Sequence, residues 1–159
     1  MAELLVCRHA KAERGRAVQD RERRLTEIGR ADAQGLGRLL LSQGFIPDVI
    51  LCSVAARARE TAELLAAEFP GEPLRLDLPE LYDAGASDIL PIVRAYAPEA
   101  RRPMVVGHNP GLESFVCGIA GRDLVMKTAC VAVVEAAEGA RPRLKAIVLP
   151  SRRIRTDPT

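Results

Sequence analysis

Residues 4–9 read Leu-Leu-Val-Cys-Arg-His. Four apolar residues without polar alternation mark a strand buried on both faces, and the run stops at two ionisable side chains. The pattern returns twice more. Val49 to Cys52 is apolar and leads to Ser53, and Pro103 to Gly107 is apolar and leads to His108. Strands buried on both faces need cover on both, and helical segments between them supply it. The runs therefore predict an α/β fold: a three-layer α/β/α sandwich with a mostly parallel central sheet.

Residues 26–42 have a helical period. Thr26 is placed to cap the N-terminus, Ile28, Ala31, Leu36, Leu39 and Leu40 form an apolar stripe, and Gly44 ends the segment. A second helix is predicted from Ala55 to Phe69, with Ala58, Ala62, Leu65 and Ala66 on one side and Pro70-Gly71 closing it. Leu74 to Leu76 reads as a short strand, Leu78 to Asp83 as a loop, and Ser87 as the cap of a helix running to Tyr96. In the turn His108-Asn109-Pro110-Gly111, Pro110 takes a first-turn position of the next helix. Ala129 to Val134 and Leu144 to Leu149 read as two strands that can add an antiparallel edge. The 159 residues fit a single domain, with Ser151 to Thr159 a loosely ordered polar tail.

Composition excludes several classes. Aromatic residues make up 3% and Trp is absent, so no base-stacking surface is expected. A net charge of +2 is too small for a protein that coats nucleic acid. No apolar run reaches the length of a membrane span. Cys7, Cys52, Cys117 and Cys130 form no close pair and no signal peptide precedes them, which indicates free thiols in the cytoplasm. No coiled coil or spare apolar face calls for an oligomer, so a monomer is expected. The modest charge conceals a cluster, however: Arg8, Lys11, Arg14, Arg16, Arg21, Arg23 and Arg24 lie close together. Such a run is either a solvated loop or an anion-binding mouth.

The chain has two histidines, His9 and His108, and each follows a buried strand by one or two residues. In open α/β sheets ligands bind beyond the carboxyl ends of the strands, where two imidazoles can meet. Arg57, just past a third strand end, stands in the first turn of a helix, where the dipole disfavours a cation. Arg59 fits an exposed helix face better. Arg8, Arg57, His9 and His108 together suit phosphoryl chemistry. Guanidinium groups hold phosphate oxygens as a fork, and an unprotonated imidazole can attack phosphorus. A proton donor for the leaving group would come from Glu80 or Asp83 in the loop after the third predicted strand. A cysteine phosphatase is excluded, because no cysteine is followed six positions later by arginine. No nucleotide-binding glycine loop is present, and two histidines with isolated cysteines do not compose a zinc site. No metal and no cofactor is expected.

These residues carry a resemblance. Arg8-His9-Ala10-Lys11-Ala12-Glu13 resembles the signature of the histidine phosphatase superfamily, and its Ala10, where Gly is usual, resembles the small phosphohistidine phosphatases of the SixA type. Arg23-Arg24-Leu25-Thr26-Glu27-Ile28-Gly29 resembles that subfamily's Arg-Pro-Leu-Thr motif with Arg24 in place of Pro. Ser53 through Thr61 resembles a Ser-Pro-x-x-Arg-Ala-x-x-Thr motif with Val54 in place of Pro. Leu78-Pro79-Glu80-Leu81 and Val106-Gly107-His108-Asn109-Pro110 match in the same order. The resemblance implies a phosphoglycerate mutase-like fold and a metal-independent phosphatase. In it His9 becomes transiently phosphorylated, Arg8, Arg57 and His108 bind the phosphoryl oxygens, Arg23 lines the pocket, and Glu80 donates the proton. The long insertion of larger sugar-phosphate members is missing. An open site follows, suited to a phosphorylated protein side chain, phosphohistidine foremost. A phosphatase of a small metabolite and a non-catalytic phosphate-binding module are the alternatives.

Overall fold

A computed structural model describes residues 1–15 and 17–150. The tail expected at 151–159 lies outside the described residues. Strands β1 (Glu3–Arg8), β2 (Val49–Ser53), β3 (Leu74–Leu78), β4 (Pro103–Gly107), β5 (Cys130–Glu135) and β6 (Arg143–Val148) form one sheet in the order β3-β2-β4-β1-β5-β6. The first four are mutually parallel, and β5 and β6 add antiparallel pairs at the β1 side. The α/β sandwich with a mostly parallel sheet and an antiparallel edge is thus the observed architecture.

Alternation along β1 shows why its sequence is apolar throughout. Leu5 and Cys7 face helices α1 (Glu27–Ser42) and α2 (Ala56–Glu68), while Leu4 and Val6 face α3 (Ile89–Tyr96) and α4 (Gly111–Ala120). Leu36 and Leu40 of α1 and Leu65 of α2 are fully buried on the first face. Burying each such side chain contributes about 1.5–3 kcal/mol.

Thr26 caps α1 as expected, its hydroxyl accepting from the Gly29 N–H at 3.0 Å. The buried stripe differs from the predicted one. It consists of Gly29, Ala33, Leu36, Gly37 and Leu40, while Ile28 is 54% exposed. The cause is a close approach: a Cβ at Gly29 would overlap the Lys11 carbonyl oxygen, so this face must carry a glycine. The same carbonyl accepts the Thr26 N–H at 2.9 Å, which fastens the start of α1 to the segment just after His9.

Near the site β3 runs on to Leu78, beyond the expected Leu76, and Pro79–Leu81 forms a 3-10 turn where a loop was expected. Ser87 lies inside a second 3-10 turn, Ala86–Asp88, and does not cap α3. A Cβ at Gly111 would overlap the Ala84 carbonyl oxygen, so the first residue of α4 seats the 82–86 segment beside His108.

Candidate active site

Strand register builds the site. Arg8 pairs with Gly107, and Cys52 pairs with Val106, so the ends of β1, β4 and β2 lie level. His9, His108 and Ser53 therefore emerge together at the carboxyl edge of the sheet. The His9 N–H donates to the Gly107 carbonyl at 3.1 Å, which carries the pairing one residue further. The two imidazole centroids lie 5.2 Å apart with the rings tilted by 56°.

The state of His9 follows from its partner. Its Nδ1 lies 2.7 Å from the Ala10 carbonyl oxygen, which can only accept, so Nδ1 carries the proton. Nε2 is left with its lone pair. Burial opposes a charge on the ring, and Arg57 and Arg8 oppose it too, although the Ala10 carbonyl favours it. Together they push the pKa down from 6.5 to about 4. His108 is pushed down to about 3 by burial, then by His9 and Arg57, and its Nε2 lies 2.7 Å from Ser53 Oγ. Both rings are neutral at neutral pH.

The arginines close the pocket. Arg57 is buried although it stands at the start of α2. Its Nη1 donates to the Asp20 carbonyl at 2.7 Å and its Nη2 to the Asp20 carboxylate at 3.0 Å. Arg8 Nη1 donates to the Met126 carbonyl at 2.9 Å. Arg23 donates from Nε to Asp20 Oδ1 and from Nη1 to the Glu13 carbonyl, each at 3.0 Å. Thr61 ties α2 to the strand end: its hydroxyl donates to the Arg57 carbonyl at 2.7 Å and accepts the Ala10 N–H at 3.0 Å.

The result is a cavity of about 250 Å³ walled by Arg8, His9, Ala12, Arg14, Arg23, Arg57, His108, Asn109 and Thr128. Arg8 Nε, Arg57 Nε, His108 Nδ1 and Asn109 Oδ1 are buried here without a hydrogen-bond partner. Buried unpaired polar atoms cost about 1–3 kcal/mol each, and a cluster of them marks a place built for a polar ligand. Two guanidinium Nε–H donors specify an anion. A second cavity, about 280 Å³, shares His108 and Asn109 and continues past Tyr82, Asp83 and Ser114.

Of the residues singled out in the sequence, the fold brings Arg8, His9, Arg23, Arg57 and His108 together in one cavity. It does not bring Glu80 there. Leu81 is buried and turns the 3-10 segment so that Glu80 is exposed, where its carboxylate takes the Tyr96 hydroxyl. Asp83, the other candidate, lines the second cavity. Sequence reasoning did not single out Arg14, Thr128, Asp20 or Tyr82. Arg14 and Asp20 were visible only as part of a charged run, and nothing in the sequence joins Tyr82 to Asp20. Asn109 stood inside a quoted motif without a role. Here its Nδ2 donates to the Met126 carbonyl at 3.0 Å and to Glu113 Oε2 at 3.2 Å, holding the 126–128 segment over the pocket.

The depressed pKa of His9 has a consequence for stability. The unfolded chain, with its histidine near 6.5, binds more protons than the folded one between about pH 6.5 and 4. The stabilisation is complete above pH 6.5 and is lost as pH falls through that window. In denaturant titrations at a series of pH values, His9→Ala is expected to show a shallower acid-side decline than the natural chain.

Comparison with known proteins agrees with this geometry. Residues 4–81 match the model of the histidine phosphatase superfamily, branch 1. A crystal structure of a protein from Agrobacterium tumefaciens, assigned as the phosphohistidine phosphatase SixA, superposes with a TM-score of 0.83 at 30% identity, covering 94% of this chain and 98% of that one. A protein of the same assignment from Nakamurella multipartitia gives 0.80 at 26% identity, covering 95% and 97%. An uncharacterized chloroplastic protein of Arabidopsis thaliana is 31% identical over 143 residues, which are 84% of this chain and 66% of the plant protein. The chain belongs to the histidine phosphatase superfamily. Within it the chain is of the SixA type, with that type's size and phosphoglycerate mutase-like topology over nearly its whole length.

Proposed function

We propose that the chain is a metal-independent phosphatase in which His9 attacks phosphorus and carries the phosphoryl group as a transient phosphohistidine. The observation that carries this reading is the Nδ1–H bond from His9 to the Ala10 carbonyl, which leaves Nε2 unprotonated inside an arginine-walled cavity. In the first step the Nε2 lone pair forms a bond to phosphorus as the bond to the leaving group breaks. The His9 ring becomes cationic, and the Ala10 carbonyl and the three negative phosphoryl oxygens stabilise it. Arg8 and Arg57 turn their Nε–H groups on the equatorial oxygens, with His108 as a further contact. In the second step water attacks phosphorus, inorganic phosphate leaves, and Nε2 regains its lone pair.

Phosphohistidine in a protein is the substrate this site favours. Only α2 lies between β2 and β3, so no long insertion there closes over the cavity. A P–N bond also makes little demand on a general acid once the leaving imidazole is protonated, which suits a pocket whose walls include no carboxylate. The decisive measurement compares kcat/KM on phosphohistidine peptides with kcat/KM on small phosphoesters. Higher values for the esters would favour a metabolite phosphatase, and failure to turn over either would favour a binding module.

Glu80 is where the family pattern and the geometry part. Glu80→Gln is expected to change kcat by less than about threefold, because its carboxylate lies outside the cavity. A loss of a hundredfold would restore it as the proton donor. Among the described residues no group of His, Cys, Asp and Glu side chains is arranged to hold a metal ion. A strong chelator is accordingly expected to leave the rate on an aryl phosphate unchanged.

A further inference from the structure

Asp20 has no role in the reaction as described, yet it is bound to the pocket from several sides. It begins the 3-10 turn Asp20–Glu22 in the link between β1 and α1. Its Oδ1 accepts Arg23 Nε at 3.0 Å, and its Oδ2 accepts Arg57 Nη2 at 3.0 Å together with the Tyr82 hydroxyl. Arg21, next in sequence, lays its guanidinium 4.4 Å over the Tyr82 ring, and that ring meets His108 edge-on at 5.6 Å. The 3-10 turn is thereby clamped onto the 82–86 segment across the mouth of the cavity. Asp20 also lines a shallow recess with Arg14 and Arg23, two residues that belong to the catalytic cavity as well. Its side chain remains 52% exposed, next to Arg14 and Arg23, the residues that the recess and the cavity share.

A negative group beside an anion site opposes the binding of the anion. Orienting Arg57 would require only an acceptor, and the Asp20 backbone carbonyl already supplies one at 2.7 Å. The charge pairs with Arg23 and Arg57, and the leaving group gives it a further use. When a phosphoester is cleaved, negative charge grows on the departing oxygen. When a phosphohistidine is cleaved, the departing ring begins as a cation protonated on its distal nitrogen.

We propose that Asp20 is a specificity-determining residue: a fixed carboxylate at the pocket mouth that favours the protonated imidazole of a phosphohistidine over the oxygen leaving group of a phosphoester. This rests on the reading of the site as a phosphohistidine phosphatase. In the step concerned, the P–N bond of the substrate breaks and its electron pair returns to the substrate ring, which leaves neutral with its distal N–H intact. The His9 Nε2–P bond forms, and the positive charge passes to His9. No oxidant or further reactant enters. Until the transfer is complete, part of the positive charge stays on the departing ring, and Asp20 stabilises it there. Against an ester the same carboxylate faces growing negative charge and raises the barrier. The Tyr82 hydroxyl, followed by Arg57 and Arg23, pulls the Asp20 pKa down to about 2, so the charge is present throughout the working range.

The test measures kcat/KM for a phosphohistidine peptide and for an aryl phosphate with the natural chain, Asp20→Asn and Asp20→Glu. In Asp20→Asn the peptide value is expected to fall and the aryl value to rise, so that their ratio drops about tenfold or more. Asp20→Glu keeps the charge and is expected to keep the preference. A parallel fall in both values, or an unchanged ratio, would overturn the proposal and leave Asp20 as a holder of Arg57. Loss of preference in Asp20→Glu equal to that in Asp20→Asn would overturn it too, since charge would not be the cause. If the natural chain cleaves the aryl phosphate but not the peptide, the substrate reading falls, and this inference falls with it.

Discussion

His9→Ala is expected to lower turnover of an aryl phosphate by a factor on the order of 10⁴ or more while the chain stays folded. The loss is large because no neighbour can take over. His108 is 5.2 Å away between ring centroids and its Nε2 is engaged with Ser53. The fold is expected to persist, because His9 stands at the wall of a cavity and makes one side-chain hydrogen bond, worth about 1 kcal/mol. Rapid quench of the natural enzyme should trap acid-labile phosphate on the protein, and the alanine variant should trap none. Turnover at the natural rate in the variant, with or without trapped phosphate, would remove His9 from the mechanism.

The second large effect is at Arg57. Arg57→Ala removes a buried guanidinium that grips Asp20 through both Nη atoms, keeps an unpaired Nε, and belongs to the cavity wall. The expected loss in kcat/KM is on the order of 10²–10³, the usual consequence of removing one preorganised donor from a transition-state oxyanion. Arg57→Lys is expected to recover less than a tenth of the natural activity, since an ammonium restores charge but not the planar fork. Recovery by lysine to near the natural rate would mean that charge alone matters at this position. Stability should change less than activity in both variants, because the Asp20 carboxylate is about half exposed and solvent can take it up once it is released.

The fold was legible because its signal is local. Leu4 to Cys7, Val49 to Cys52 and Pro103 to Gly107 are short apolar runs that only a doubly covered sheet can bury. Thr26 could be read as a cap because a threonine stands just before the helical period begins. The parts that were not legible depend on contacts between distant segments. On α1, Leu36, Leu39 and Leu40 face the core as expected, but Ile28 and Ala31 do not, because apolar periodicity gives no sign that Gly29 must meet the Lys11 carbonyl. In the site, the histidines and Arg57 could be read from their places at strand ends, where topology alone brings them together. Glu80 was carried by motif position, and whether a loop acid faces a pocket is decided by its own turn, here by the burial of Leu81. Asp20 and Tyr82 could not be paired from sequence, since only the clamp of one loop on another joins them.

The level ends of β1 and β4 also make the pair of histidines a product of long-range strand pairing. His9 and His108 stand about a hundred residues apart in the chain, and contacts of that sequence separation form slowly in folding. A chain that had formed β1, α1 and α2 alone would hold His9 with no second imidazole beside it. The parallel slot between β1 and β2 must first be filled by Pro103–Gly107. The two-imidazole pocket is therefore complete only when the middle of the sheet is, and the onset of phosphatase activity in a refolding chain is expected to report the docking of that one strand.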